Sequence, residues 1–510
     1  MSVETLEVAA PSLVSVERTA ATPANSSASV TEWLIDNAIA YRAIIAAMRR
    51  ARRSVCISQL AFDADCEAYT PGQPTVRLLD ELVGAWRTRA LDVRILLNAT
   101  LLVDTASPLR KALAAMEASA IEVRGISRFP QLLHAKVLIV DGREAFLIGS
   151  PFVNGYWDDS SHQPGDPRRP MRELGGRPLH DLSVRLTGPV VAELEAEFDT
   201  LWINAASSAE TERPRLPTRA APKGKLVGGS AVRVTRPALR STHADNGRAD
   251  ILAAMLRGIE SARDLLYIEH QYLSSRCVVD ALTRALDRAP ALEIVALVNQ
   301  NPDVTAYRGW QNERLEESGL SQHPRFGLFA LWSSRKREAR IELNQVFVHS
   351  KLITVDDRWA TFGSANIDGV SLHSYGADFS SRLGRRIFRG VRNFDVNVEM
   401  RSKTEGIDES IVELRTSLWN EHLGMVPSTR PHGGWLGLWR TRAAENISAL
   451  NGNADDAPRG SFVLAYSTVP TPSGQLRALG VRDREELVLR FQPSWLEVHC
   501  SPNWIRNMFA

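Results

Sequence analysis

Residues 131–150 read QLLHAKVLIVDGREAFLIGS, and residues 346–366 read VFVHSKLITVDDRWATFGSAN. In each stretch a lysine stands two residues after a histidine, and an aspartate five residues after the lysine: His134, Lys136 and Asp141, then His349, Lys351 and Asp356. A Gly-Ser pair follows in both, Gly149-Ser150 and Gly363-Ser364. Farther on, Asp181 (PLHDLSVRL) and Asp395 (RNFDVNVEM) stand at the same distance beyond the two pairs. Gln59 and Gln271 precede the histidines on strand-like runs. A single His-x-Lys is common, and a lone histidine on an apolar strand is most often packed in a core. Several matched pairs in one register instead mean that the sequence occurs twice.

The frame around the motifs repeats as well. AIAYRAIIAAMRRAR (38–52) has the apolar spacing of an amphipathic helix and leads into the strand-like SVCISQLAF (54–62). ADILAAMLRGIESAR (249–263) and LLYIEHQYL (265–273) are their counterparts. VRLLDELVGAWRTRA and LDVRILLNA in the first half match CVVDALTRALDRA and LEIVALVNQ in the second. This alternation predicts an α/β fold with a mostly parallel sheet, built as two pseudo-symmetric α/β/α lobes by internal duplication. The lobes are assigned to 33–204 and 231–427, after a flexible arm at 1–32 rich in Ala, Ser, Thr and Pro. A linker occupies 205–230, and 428–510 forms a C-terminal extension.

The chain has 510 residues, 44% hydrophobic and 24% charged, ordinary for a globular protein with room for a large core. Lys+Arg (61) and Asp+Glu (59) nearly cancel to a net charge of +2. That balance argues against a generic polycation that coats nucleic acid. Four scattered cysteines, Cys56, Cys66, Cys277 and Cys500, form no CxxC pair, which argues against a disulfide framework or a Cys-rich zinc site. There is no run of apolar residues long enough to span a bilayer, and the acid-containing N-terminus does not resemble a secretory signal. The expected location is the cytosol, with peripheral membrane association or export without a cleavable signal left open.

On a strand, residues i and i+2 share a face, so each His-Lys pair projects into one cavity. Two such lobes facing each other bring two imidazoles and two ammonium groups around one point, an arrangement suited to a phosphodiester. One neutral histidine attacks phosphorus to form a phosphohistidine, and the other, protonated, supplies a proton to the leaving alcohol. Lys136 and Lys351 stabilise the non-bridging oxygens, with Ser150, Ser364 and Asn366 as further phosphate donors. Asp181 and Asp395 orient an imidazole each. Gln59 and Gln271 complete the pocket. No cofactor and no metal is called for.

The paired HxKxxxxD motif resembles the signature of the phospholipase D superfamily, over about residues 33–425. FVHSKLITVDD with GSANID is similar to the second motif of eukaryotic-type phospholipase D enzymes; YIEHQYLSS, GYWDD (155–159) and LRTSLWNEHLG (414–424) also resemble that group. The resemblance implies the phospholipase D fold and a glycerophospholipid substrate, cleaved to phosphatidic acid and a head-group alcohol. It also implies transfer when another alcohol competes with water. Resemblance to bacterial members implies His134 as nucleophile and His349 as general acid, although pseudo-symmetry allows the exchange. It implies a structural rather than proton-carrying role for Asp141 and Asp356. The chain departs from the pattern at Phe152, where the Asn after Gly-Ser is expected, and at His270, where the family usually has Asn.

The expected partner is a phospholipid membrane surface, with nucleic acid disfavoured. A lipase acting on its own cell's membranes would be hazardous, which suggests a delivered effector held by an inhibitor or immunity protein, or a triggered defence enzyme. A metal-independent nuclease and a phosphatidyltransferase of lipid synthesis are the competing functions. Arg382, Arg385, Arg386, Arg389 and Arg392, with Arg335, Lys336, Arg337 and Arg340, read first as a solvated basic face. Trp435, Leu436, Leu438 and Trp439, with Trp495, Trp504, Ile505 and Phe509, read first as packing and second as a lipid-facing surface. His180 and His422 are expected to be packed or hydrogen-bonded.

Overall fold

Short apolar strands that alternate with amphipathic helices bury both element types only by packing in layers. In the computed structural model the described residues are 30–205, 231–235, 250–482 and 487–489, less 71, 101–102, 128–130, 170–175, 304, 339, 375–381, 388–391, 403–405, 425, 427–428, 453–456 and 459. The residues 1–29 of the expected arm and 206–230 of the expected linker lie outside them, as do Arg389, Trp495, Trp504, Ile505 and Phe509.

The first lobe runs β1 (Val30–Ile35), α1 (Asn37–Arg50), β2 (Ser54–Ser58), a ribbon of β3 (Glu67–Ala68) and β4 (Val76–Arg77), α2 (Leu78–Arg89), β5 (Asp92–Asn98), α3 (Ala106–Ala115), β6 (Glu122–Ile126), β7 (Val137–Val140), β8 (Glu144–Ile148), β9 (Leu179–His180), β10 (Leu182–Thr187) and α4 (Pro189–Ala205). The second runs β11 (Ala231–Thr235), α5 (Asp250–Ser261), β12 (Leu265–His270), α6 (Arg276–Arg288), β13 (Glu293–Leu297), α7 (Thr305–Glu317), β14 (Phe326–Arg337), β15 (Arg340–Gln345), β16 (Phe347–Val348), β17 (Lys351–Val355), β18 (Trp359–Gly363), α8 (Gly369–Leu372), α9 (Arg382–Ile387), β19 (Asn397–Arg401) and α10 (Glu409–Leu423). There follow α11 (Gly434–Asn451), β20 (Gly460–Ala465), α12 (Pro472–Ala478) and β21 (Leu487–Leu489).

The strand orders state the duplication. The first sheet is β1-β10-β8-β7-β2-β5-β6, and the second runs β11-β19-β18-β17-β12-β13-β14 before adding β15 and β21. Strand for strand, these are one topology. The helices bury one stripe each: α1 turns Tyr41, Ile44, Ile45 and Met48 inward, and α6 turns Val278, Leu282, Ala285 and Leu286 inward.

Two sequence expectations are corrected. Each sheet is mixed rather than mostly parallel: β2-β5-β6 and β12-β13-β14 run parallel, joined by helical crossovers, and β21 adds parallel to β15, while the other neighbours in both sheets are antiparallel. The strand after each His-Lys pair returns instead through a tight turn, giving antiparallel β7-β8 and β17-β18. The arm is shorter than 1–32, since Val30–Ile35 pairs with β10, and Thr31 Oγ1 and Trp33 Nε1 reach Ser410 of the second lobe at 3.0 and 3.1 Å. The segment after 428 packs on the second lobe: β20 pairs with β14, β21 with β15, and α11 packs on β13. Trp435 and Trp439 are buried there against Trp419 and Tyr267, which uses them as core.

The two turns explain the aspartates of the motifs. Asp141 (φ 55°) and Gly142 (φ 64°) turn β7 into β8, and Asp356 (φ 51°) and Asp357 (φ 52°) turn β17 into β18. The Asp141 carboxylate accepts from the backbone N–H of Arg52, Arg53 and Ser54, at 2.7–3.1 Å. Asp356 accepts from Arg263, Asp264 and Leu265, each at 2.8 Å. Each therefore ties a hairpin to the start of the neighbouring strand, at the strand end opposite its histidine. Asp356→Ala is expected to cost about 3 kcal/mol, from lost charge-assisted bonds and from a β-carbon at positive φ without local support. Asp356→Gly, free of the φ penalty, should cost less; equal losses in urea denaturation would contradict this account.

Candidate active site

His134 and His349 do not sit within regular strands. Each lies just before one, on an extended segment claimed by the other lobe. His134 N and Ala135 N both donate to Phe394 O (2.9 and 2.7 Å), and His349 N donates to His180 O (2.8 Å). β16 pairs parallel with β9 across the same junction. The side chains follow the crossing: His134 Nδ1 lies 2.7 Å from Asp395 Oδ1, and His349 Nδ1 lies 3.1 Å from Asp181 Oδ2. Nδ1 is occupied in both, which leaves each Nε2 for chemistry.

The carboxylates are fixed in turn. Ser364 Oγ donates to Asp395 at 2.7 Å, and Ser150 Oγ donates to Asp181. Both serines are fully buried. They were expected to touch phosphate; what the structure shows is that their hydroxyls hold the carboxylates that orient the imidazoles. Asn366 is nearly buried with its Oδ1 unpartnered. Its counterpart Phe152 packs edge-on to Tyr41 and Phe62 (5.9 and 5.1 Å), so the first lobe has replaced a polar group by core.

Lys136 and Lys351 are fully buried. Lys136 Nζ donates to His134 O (2.9 Å); Lys351 Nζ donates to Gln271 Oε1 (3.2 Å) and to His349 O. Gln59 is also buried, with both amide ends unpartnered, and makes no such contact. Burial first, then Lys351, pushes Lys136 down to about 7; burial pushes Lys351 down to about 8. Burial and then Lys351 push His349 down to about 3, and burial with Lys136 lowers His134. Each imidazole feels both ammonium groups, so the four groups share one site. Burial works against the Asp181 and Asp395 charges, yet His349 and His134 hold both carboxyls below the usual range. His270, in the place of Asn, is buried and held neutral by burial and by Lys351.

Sequence reasoning missed two asparagines that clamp the histidine segments. Asn98 accepts from Leu133 N (2.8 Å) and donates to Leu133 O (3.0 Å); Asn299 accepts from Val348 N (2.9 Å) and donates to Val348 O (2.7 Å). The signal was present: RILLN and VALVN end matching strands. Also unread was a buried charge cluster that adjoins Asp181. His180 meets Glu269, Asp36 and Glu421 at 2.9–3.0 Å, His162 meets Asp158 and Glu421 at 3.1 Å, and His422 meets Glu269 at 3.2 Å. Among the described residues, two sets have metal-ligand spacing: Asp36, His162, His180 and Glu421, and His180, Glu269 and His422. Imidazolium–carboxylate pairing already balances them: against burial, Asp36 and its neighbours push His162 up to about 10. An open cleft of about 690 Å³, lined by Arg49, Arg50, Arg52, Arg89, Arg143 and Arg185, lies at the Asp141 turn, at the far end of β7 from His134.

Residues 255–377 match a family model described as "Cardiolipin synthase, PLD-like domain". This span holds the second motif and its Gly-Ser-Ala-Asn. The chain belongs to the phospholipase D superfamily. Within that superfamily it is 23% identical over 361 residues to phospholipase D A of Dictyostelium discoideum, covering 59% of this chain and 28% of that one. It is 26% identical over 347 residues to cardiolipin synthase A of Pseudomonas entomophila (strain L48), covering 66% and 62%. The chain thus spans less than two thirds of these relatives. The crystal structure of phosphatidylserine synthase from Haemophilus influenzae Rd KW20 superposes with a TM-score of 0.51 at 16% identity, over 76% of this chain and 85% of that one. The duplicated superfamily fold is therefore shared. No helix of the described residues is long and apolar enough to cross a membrane.

Replacing Asp395 by Asn is expected to lower the His134 pKa further, because the carboxylate is what supports the imidazolium there. Histidine ring-proton NMR titration checks this; an unchanged His134 would contradict the cross-lobe pairing.

Proposed function

We propose that this chain is a phospholipase D-type phosphodiesterase that acts on glycerophospholipids through a phosphohistidine. The observation that carries the reading is the pair of imidazoles, each backed by a carboxylate of the opposite lobe, beside two buried ammonium groups. A phosphodiester carries one negative charge. Between Lys136 and Lys351 it relieves their mutual repulsion and raises the pKa of every depressed base around it. His134 Nε2 attacks phosphorus while His349 gives a proton to the head-group oxygen. Water then attacks the phosphohistidine with His349 as base, releasing phosphatidic acid. An alcohol in place of water gives a new phosphatidyl ester. That second outcome is the transferase reading, which the named synthases among the relatives favour; the same site serves both.

Mass spectrometry of a total lipid extract incubated with pure protein, with and without glycerol, tests the proposal. Loss of phospholipid with gain of phosphatidic acid supports hydrolysis, and gain of a glycerol ester supports transfer. No change in any lipid, or nucleic acid cleavage alone, contradicts the proposal. His134→Ala and His349→Ala should each reduce turnover by on the order of 10³-fold or more.

The histidine roles separate with a p-nitrophenyl phosphodiester, whose leaving group needs no proton. His349→Ala should then accumulate phosphate label on residue 134, since the base for its hydrolysis is gone. Label on residue 349 in His134→Ala, and none on 134, would reverse the roles. The pH dependence follows from the lysines. In the free enzyme the donor His349 already loses its proton above about 3, and the ammonium charges are lost as pH rises through about 7 and 8, so the alkaline fall of kcat/KM should steepen above pH 7. On the acid side it should fall where His134, held below the ordinary histidine range by burial and by Lys136, gains its proton. Because bound diester raises the lysine pKa values, the fall in kcat should lie at higher pH than that in kcat/KM.

A further inference from the structure

The His349 side of the site holds a cation that the proposed steps do not use. Arg177 is 6% exposed, with its Cζ 4.0 Å from the Phe347 ring centroid. Phe347 stacks on His349 (6.2 Å between centroids), and Tyr156 meets His349 edge-on at 5.5 Å. Nε and Nη2 of Arg177 are buried without a hydrogen-bond partner. These two atoms form one side of the guanidinium fork, the geometry that takes a carboxylate bidentately. Burial works against the Arg177 charge, and Asp303 is foremost among the groups that support it. Asp303 reaches the same region: its Oδ1 accepts from Gln271 Nε2 (3.1 Å) and from Tyr272 OH, and Gln271 holds Lys351.

We propose that Arg177 and Asp303 form the head-group subsite and select a head group bearing both a carboxylate and an ammonium, as in a phosphoserine lipid. This rests on the phosphodiesterase reading and on His349 as the proton donor, which puts the leaving alcohol on the His349 side. The reacting phosphate has Lys136 and Lys351, so the third cation is available to the group beyond it. Arg177 takes the head-group carboxylate, Asp303 takes its ammonium, and Tyr156 and Phe347 wall the space between. A choline or glycerol head group leaves the guanidinium buried and unpaired, and a site built for a polar partner rejects analogues that lack it.

The test uses the wild-type chain on vesicles with equal phosphatidylserine, phosphatidylcholine, phosphatidylethanolamine and phosphatidylglycerol, with products read by mass spectrometry. Phosphatidylserine should be cleaved at least about tenfold faster than phosphatidylcholine, as kcat/KM. Arg177→Met should collapse that ratio to about threefold or less, and Arg177→Lys, which keeps charge but not the fork, should fall between. Glycerophosphoserine should inhibit the wild type more strongly than glycerophosphocholine, an arm that needs no variant to fold. Equal cleavage of all four lipids, equal inhibition by the two esters, or an unchanged ratio in Arg177→Met overturns the subsite while leaving the phosphodiesterase reading in place. Release from none of the lipids overturns that reading itself.

Discussion

Each lobe orients the other's histidine, and the site exists only because of this exchange. The residue that accepts the backbone N–H of a histidine segment (Phe394 or His180) is followed at once by the carboxylate that takes its Nδ1 (Asp395 or Asp181). Main chain and side chain therefore lock together, and a shift of one lobe against the other breaks both contacts at both histidines. An imidazole oriented by a single lobe would keep rotamer freedom; here two independent anchors remove it before substrate arrives. Asn98 and Asn299 finish the clamp on the near side, and the hairpin turns at Asp141 and Asp356 fix the far end of each strand.

The electrostatics follow from that confinement. Two ammonium groups without a facing carboxylate in direct contact are held in a dry site, which depresses both of them and both imidazoles. The site is thus poised against its own charge. An anion between the lysines offsets the lysine part of these shifts, though not the part due to burial, so on the proposed reading substrate binding favours the protonated donor. Asp181 and Asp395 oppose this: each serine-held carboxylate supports the charge of both lysines and of the imidazole it contacts.

The duplication, both His-Lys pairs and the downstream aspartates were legible because their signals are local and occur twice. What was not legible was long-range pairing. The spacing of Asp181 and Asp395 reveals that they correspond, but only the crossing of the lobes shows that Asp395 serves His134 and Asp181 serves His349. Ser150 and Ser364 were read as phosphate donors; that each hydroxyl donates to a buried carboxylate was not legible, because the partner stands 31 residues away. The sheets were read as mostly parallel from helix–strand alternation alone, and the four-residue hairpin turns, whose φ > 0 positions are Asp and Gly, carried too little sequence to correct this. The tail beyond 428 was unassigned because β20 completes an edge whose partner, β14, lies more than a hundred residues earlier.

The two halves of the site are not equal, and the inequality has a direction. On the His349 side, Gln271 grips Lys351, Tyr156 and Phe347 contact the imidazole, and Arg177 and Asp303 supply opposite charges. On the His134 side, Gln59 grips nothing, and Phe152 fills the place of Asn366. A duplicated site begins with two interchangeable histidines. Once the polar contacts accumulate beside one of them, a substrate with two different ends can bind in one sense only, and the two imidazoles cease to be exchangeable. The asymmetry of the surroundings, rather than any difference between the histidines themselves, is what can assign one to the phosphorus and the other to the leaving group.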